Sequence, residues 1–239
     1  MAITDMARRA MAETASSSRS GDQRALLRLM AWLSPAFPVG GFAYSGGLES
    51  AVAERHVRDA ASLSGWLALL LEQGGLRNDA ILLREAHLRQ NEGGDLGELV
   101  ELAAALAGSA ERHAEITRQG EAFVTAAAGW PHPVLGRLPG PVAYSIAVGA
   151  IAAAHGVTAG DALAAFLHAQ VSGLVSAAIR LGVIGQSHGV ALIAEFEARI
   201  LAAVPALEQA GLDDLGSAAI GAETLSMRHE TQYSRLFQS

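Results

Sequence analysis

The chain has 239 residues, of which 51% are apolar and 17% charged, with a net charge of −7; that length suits one large domain or two small ones with a sizeable core. No basic run is longer than Arg8-Arg9, which argues against a nucleic-acid backbone binder for want of a positive face. Cysteine is absent and all 17 basic residues are arginine; disulfides, zinc–thiolate sites, thiol catalysis, and P-loop, Schiff-base or kinase lysines are thereby excluded.

The opening stretch 1–21 has no apolar h-region, and its Asp5 and Glu13 do not suit a transit peptide, so it reads as a disordered tail on a cytoplasmic protein. Asp22 caps a first helix to about Leu33, with Leu26, Leu29, Met30 and Leu33 on one face. Ser34-Pro35 ends it and opens SPAFPVGGFAYSGGLE, residues 34–49, a loop with two prolines, four glycines and a single charge. Helices are then expected over Gly47–Arg55, Asp59–Gln73 and Leu76–Gln90, with glycine pairs as stops. Asp95 is expected to cap a segment through Ala107, and Ser109 another through Ala128, before WPHP at 130–133 interrupts the run. Pro141 suits the first turn of a helix to His155, and Thr158 with Asp161 resembles a capping box for a helix to Leu181. A helix over Val190–Val204 follows, Pro205 begins a short one, and the pattern frays from Leu212. Period-two alternation is nearly absent, so the fold class is all-α: about ten helices in one domain over 22–211, with flexible ends and a separate segment at 212–239.

The span Leu138–Gly160 lacks Asp, Glu, Arg and Lys, and its length alone would permit a membrane crossing. It is rich in alanine and glycine and contains Pro139, Pro141 and His155; alanine gains little from lipid, so the span reads as a buried core helix.

Gly185-Gln186-Ser187-His188-Gly189 spells the nucleophile elbow of serine hydrolases, and Asp213 or Asp214 and then His229 complete the hydrolase order. An elbow needs a strand entering and parallel neighbours, which the upstream sequence does not supply, so a helix-to-helix connection is the better reading. A small serine hydrolase using Ser187 stands as an alternative, as does a helical ligand-binding module exploiting the uncharged middle. None of the eight histidines has metal-ligand spacing; of Glu111, His113 and Glu115 only the glutamates stack on one helix face. His229-Glu230 could hold a divalent ion transiently, but no preformed metal site and no cofactor is expected. The glycines of VGGFAYSGG could cradle a phosphate, but no strand or lysine accompanies them.

For the loop taken alone, packing of Phe42 and Tyr44 onto neighbouring helices is the plainer account. The chain end changes the balance. SMRHETQYSRLFQS gathers Arg228, His229, Glu230, Tyr233, Arg235 and Phe237, the residue types that carry interface energy, on an end expected to be mobile and to order on a partner.

Together, SPAFPVGGFAYSGGLE, RLGVIGQSHG and MRHETQYSRLFQS resemble the urease accessory proteins of the UreF type, a likeness that extends from about Arg24 to Ser239. The resemblance implies an all-α, dimer-forming chaperone subunit without a catalytic centre. Such a subunit binds the accessory protein UreD (also called UreH) and through it recruits the nickel GTPase UreG to apo-urease. Pro38, Gly40, Phe42, Tyr44, Ser45, Gly47, Leu48 and Glu49 match the loop pattern, and Arg228, His229, Glu230, Thr231, Tyr233, Ser234, Arg235, Leu236 and Phe237 match the tail. The partner-binding expectation falls on Pro38, Gly40, Phe42, Tyr44, Ser45, Glu49, Arg228, His229, Glu230, Tyr233, Arg235 and Phe237. Ala43 stands where the family usually has serine and Gly46 where histidine is common, so a nickel-handling histidine in this loop is not implied here.

Overall fold

A computed structural model describes residues 21–239; the expected tail at 1–21 lies almost wholly outside the described residues. Among the described residues the regular elements are all helical and no strand occurs. In chain order the helices are α1 (21–32), α2 (Leu48–Ala53), α3 (Ala60–Gln73), α4 (Gly75–Glu92), α5 (Gly97–Ala105), α6 (Ala110–Ala127), α7 (Tyr144–Ala154), α8 (Ala159–Arg180), α9 (Gln186–Gln209) and α10 (Ile220–His229), with short 3-10 turns before α2, α7 and α10.

Local signals set many of the boundaries. Asp59 accepts from the Ser62 amide while Ser62 returns a bond to the Asp59 amide, a complete capping box for α3. Ser109 accepts from the Arg112 amide and Thr158 from the Asp161 amide, capping α6 and α8. Gly93, at φ 75°, ends α4 in the left-handed conformation that glycine adopts without strain.

The core is organised around α7, whose residues Tyr144 to Ala153 are all buried. It packs on α4 and α6, with α8 behind it and α9 on the outer side of α8. Small residues let the backbones approach: a Cβ at Gly149 would overlap the Leu83 carbonyl of α4, and one at Gly120 of α6 would overlap the Val142 carbonyl. The uncharged span therefore forms a core element, and its 11-residue helix is too short to cross a bilayer. Helix α8 is long and apolar enough to do so, but it lays Leu163, Phe166, Leu167, Val171 and Val175 into the same core.

Four expectations are corrected. Pro141 precedes α7 through a cis bond from Gly140, and the helix starts only at Tyr144. Asp95 does not cap α5; the entry is set by buried Leu96, while the Asp95 carbonyl accepts from Arg89. Pro205 does not start a new helix but lies inside α9. The carbonyl it leaves unbonded belongs to Leu201, 66% exposed, where water can replace the missing donor. The chain end forms α10 and then packs: Ala219, Ala222, Leu225 and Phe237 all join the core cluster.

Candidate functional site

The loop after α1 turns through Gly41–Ala43 with Gly40 at φ 73°, and enters α2 through Gly46 and Gly47 at φ 58° and 80°. Both of the latter occupy the left-handed region, which a side chain at 46 would strain. Gly47 also lets α10 come close, since a Cβ there would stand 3.1 Å from the Ser226 backbone. This brings the chain end alongside the loop. The Gln238 amide donates to the Ala43 carbonyl at 2.7 Å, and the Ser45 amide donates to the Ser239 carbonyl at 3.0 Å, a two-bond pairing of extended backbone.

Two carboxylates and one imidazole close the clasp. Glu49, in the first turn of α2, accepts from the Leu236 amide at 2.7 Å and the Phe237 amide at 2.9 Å. His229, the last residue of α10, is fully buried, with Nε2 3.1 Å from Glu49 and Nδ1 2.6 Å from Glu111 at the start of α6. Both ring nitrogens thus stand against carboxylates. Glu111 in turn accepts from Arg235 at 2.6 Å. Around this centre Glu230 accepts from the Ala110 amide at 2.8 Å, satisfying a free donor at the start of α6, and Arg228 pairs with Glu54 at 2.9 Å.

Deeper in, the Ser239 hydroxyl donates to Glu115 at 3.1 Å, and Glu115 faces Arg112, which also pairs with Asp79. Burial alone would push the Arg112 guanidinium down, but Asp79 and Glu115 more than offset it and hold the group firmly cationic. On the outer side Arg180, the last residue of α8, lies between the rings of Phe42 and Phe237, its carbon 4.5 and 4.3 Å from their centroids.

The two segments singled out in the sequence thus meet, but their residues divide. Ser45, Glu49, His229 and Phe237 are buried and turned toward each other, with polar groups used in joining loop to tail. Arg228, Glu230 and Arg235 are exposed yet each engaged within the chain. Pro38, Gly40 and Phe42 are exposed and, with half-buried Tyr44, line a cleft of about 440 Å³ bounded by Gln119, Tyr144 and α8. Tyr233 is fully exposed. Residues 230–239 lie against α2 and α6 of the chain itself.

The hydrolase arrangement does not form. Ser187 is exposed in the first turn of α9, no strand enters it, and His229 is bound to its two glutamates. The same bonds occupy both nitrogens that a transient ion at His229-Glu230 would need. Among the described residues no group of three or more histidines and carboxylates is arranged to hold a metal ion. Arg180, Glu54 and Glu111 were not singled out as site residues. Arg180 had one signal, as the lone cation closing a segment in which Asp161 is otherwise the sole charge; Glu111 was marked only by its spacing from His113 and Glu115, and Glu54, just past α2, by nothing that distinguishes it from a solvated position.

Fold and site together define an all-α protein in which an N-terminal loop and the chain end close on one another through buried charge. The UreF family model matches residues 57–197, between the two halves of the clasp. Curated proteins called urease accessory protein UreF are similar over most of the chain. One from Rhizobium etli is 55% identical over 222 residues, covering 93% of this chain and all of that protein. One from Mesorhizobium japonicum is 57% identical over 215 residues, covering 90% of this chain and 96% of its own length. A further relative, urease accessory protein UreF 1 of Brucella anthropi, is 50% identical over 215 residues, covering 90% and 94%. The chain belongs to the UreF family of urease accessory proteins.

Proposed function

We propose that this protein is a non-catalytic, cytoplasmic chaperone subunit that binds a UreD/UreH-type accessory protein. Through that complex it recruits a UreG-type GTPase to apo-urease. Hydrolysis is the GTPase's task, and nickel is cargo of the assembly; this subunit has no resident metal or cofactor, no nucleic-acid partner and no membrane segment, and it acts as a homodimer. Family membership supports the role in urease maturation. The observation that carries the assembly reading is the clasp: it spends buried charge on holding the loop to the tail, and leaves Phe42 58% exposed, Leu236 61% exposed and Tyr233 fully exposed along its outer side. Exposed aromatic and branched side chains on a fixed backbone are suited to a partner surface.

Co-expression with urease and its other accessory proteins tests this reading. A Tyr233→Ala, Leu236→Ala chain should keep its helicity and thermal midpoint, yet lose co-purification with the UreD-type protein and leave urease poorly loaded with nickel. Normal complex and normal nickel content would refute it.

A further inference from the structure

Arg180 differs from three other arginines of the site in its surroundings. Arg112, Arg228 and Arg235 each face a carboxylate, whereas Arg180 has none within ion-pair distance among the described residues. Its guanidinium is instead flanked by the rings of Phe42 and Phe237, and its Nη1 donates to the Phe42 carbonyl at 2.6 Å. The two rings differ in kind. Phe237 is 4% exposed and belongs to the core cluster, while Phe42 is 58% exposed and does not. The guanidinium is thus the link from a seated tail residue to an outward loop residue at the mouth of the cleft.

We infer that Arg180 is a positioning residue of the partner surface: by stacking between Phe42 and Phe237 it makes the place of the exposed loop aromatic conditional on the tail being seated. The inference rests on the partner-surface reading above. A planar guanidinium has two faces for two rings and still has in-plane N–H groups for the Phe42 carbonyl. A lysine ammonium at the same place would serve neither geometry as well, so Arg180→Lys is the informative conservative change.

Two measurements on the full chain decide the matter. In the first, without any partner, hydrogen exchange is followed at the amides of Leu236, Phe237 and Gln238. Arg180→Ala should accelerate it about threefold, the size expected for losing a cation–π contact at an exposed site, while α4 and α7 amides keep their protection. Arg180→Lys should recover little of the loss. In the second, Arg180→Ala should weaken binding to the UreD-type protein about threefold, and should have no further effect in a Phe237→Ala chain, which keeps Tyr233 and Leu236.

Unchanged tail exchange, full recovery by lysine, or an additional loss of binding in the Phe237→Ala chain would each overturn the inference; the last would mean that Arg180 touches the partner directly. Should Arg180→Ala also loosen the core amides, Phe42→Leu, which leaves the arginine in place, decides: it should weaken partner binding, and an unaffected affinity counts against the proposal. If the unaltered chain does not bind the UreD-type protein at all, the proposed function fails, while the exchange measurement still judges Arg180.

Discussion

The crossing of α4 and α7 and the loop–tail clasp hold the molecule by opposite means. At the crossing, Ile81, Leu83, Ile146 and Ile151 are fully buried and a glycine removes the side chain that would keep the backbones apart. No polar partner is needed, and each fully buried branched side chain contributes about 1.5–3 kcal/mol from apolar burial. The clasp instead buries Glu49, His229 and Glu115, whose removal from water is unfavourable and is offset by mutual pairing and backbone donors. A region of the first kind tolerates small apolar changes and fails by steric overlap. One of the second kind fails when a single partner is removed, because the rest are left buried and unpaired.

The largest effect should come from breaking the crossing. Gly149→Val places two further carbons where even a Cβ meets the Leu83 backbone, so the expected loss exceeds about 4 kcal/mol, the range that marks exceptional core lesions. Circular dichroism and a denaturant midpoint, or failure to recover soluble chain, would show it. In the clasp, His229→Ala leaves two carboxylates facing each other across a void. A loss of about 3–5 kcal/mol is expected for a broken buried pair, bounded by the free energy of undocking the tail. Undocking would be seen as rapid arginine-specific cleavage at Arg228 and Arg235 with the remainder of the chain intact; a chain that resists cleavage would erase the contrast between the regions.

A third, smaller effect concerns a histidine outside both regions. Burial, with Arg28 and His132 adding to it, lowers the pKa of His155, whose buried Nε2 has no partner among the described residues. The unfolded chain then binds more protons than the folded one once pH drops below the ordinary histidine value of about 6.5. Stability should accordingly be complete above that value and decline as pH falls from it toward the lowered pKa. His155→Phe should flatten this slope in denaturant midpoints taken from pH 7.5 to 5, and a slope unaltered by the change would assign it to another group. The smallest effect on folding is expected at Tyr233, whose replacement by alanine should leave stability within about 0.5 kcal/mol and register only in partner binding.

Helix periods and caps in the sequence place α3, α6 and α8 to within a residue or two, because Asp59, Ser109 and Thr158 act on amides three positions away. The same local rules misplace the start of α7 and break α9 at Pro205. There the outcome depends on what surrounds the element: a helix tolerates proline where the abandoned carbonyl reaches solvent, and exposure is not a local property. The candidate site was readable as two segments but not as a clasp. Its residue types mark an interface equally well when they face outward or inward.

What the sequence alone determined about this protein is therefore its helical class, its apolar central helix and the distinctive composition of the two segments that form the clasp, since these follow from patterns within a few turns of chain. Only the tertiary structure decided that Glu49 and His229, 180 residues apart, share a buried bond, and that Arg180 stands between two phenylalanines from opposite chain ends. Such contacts arise from how α2, α6, α8 and α10 pack, and no interval of sequence encodes a distance across that packing.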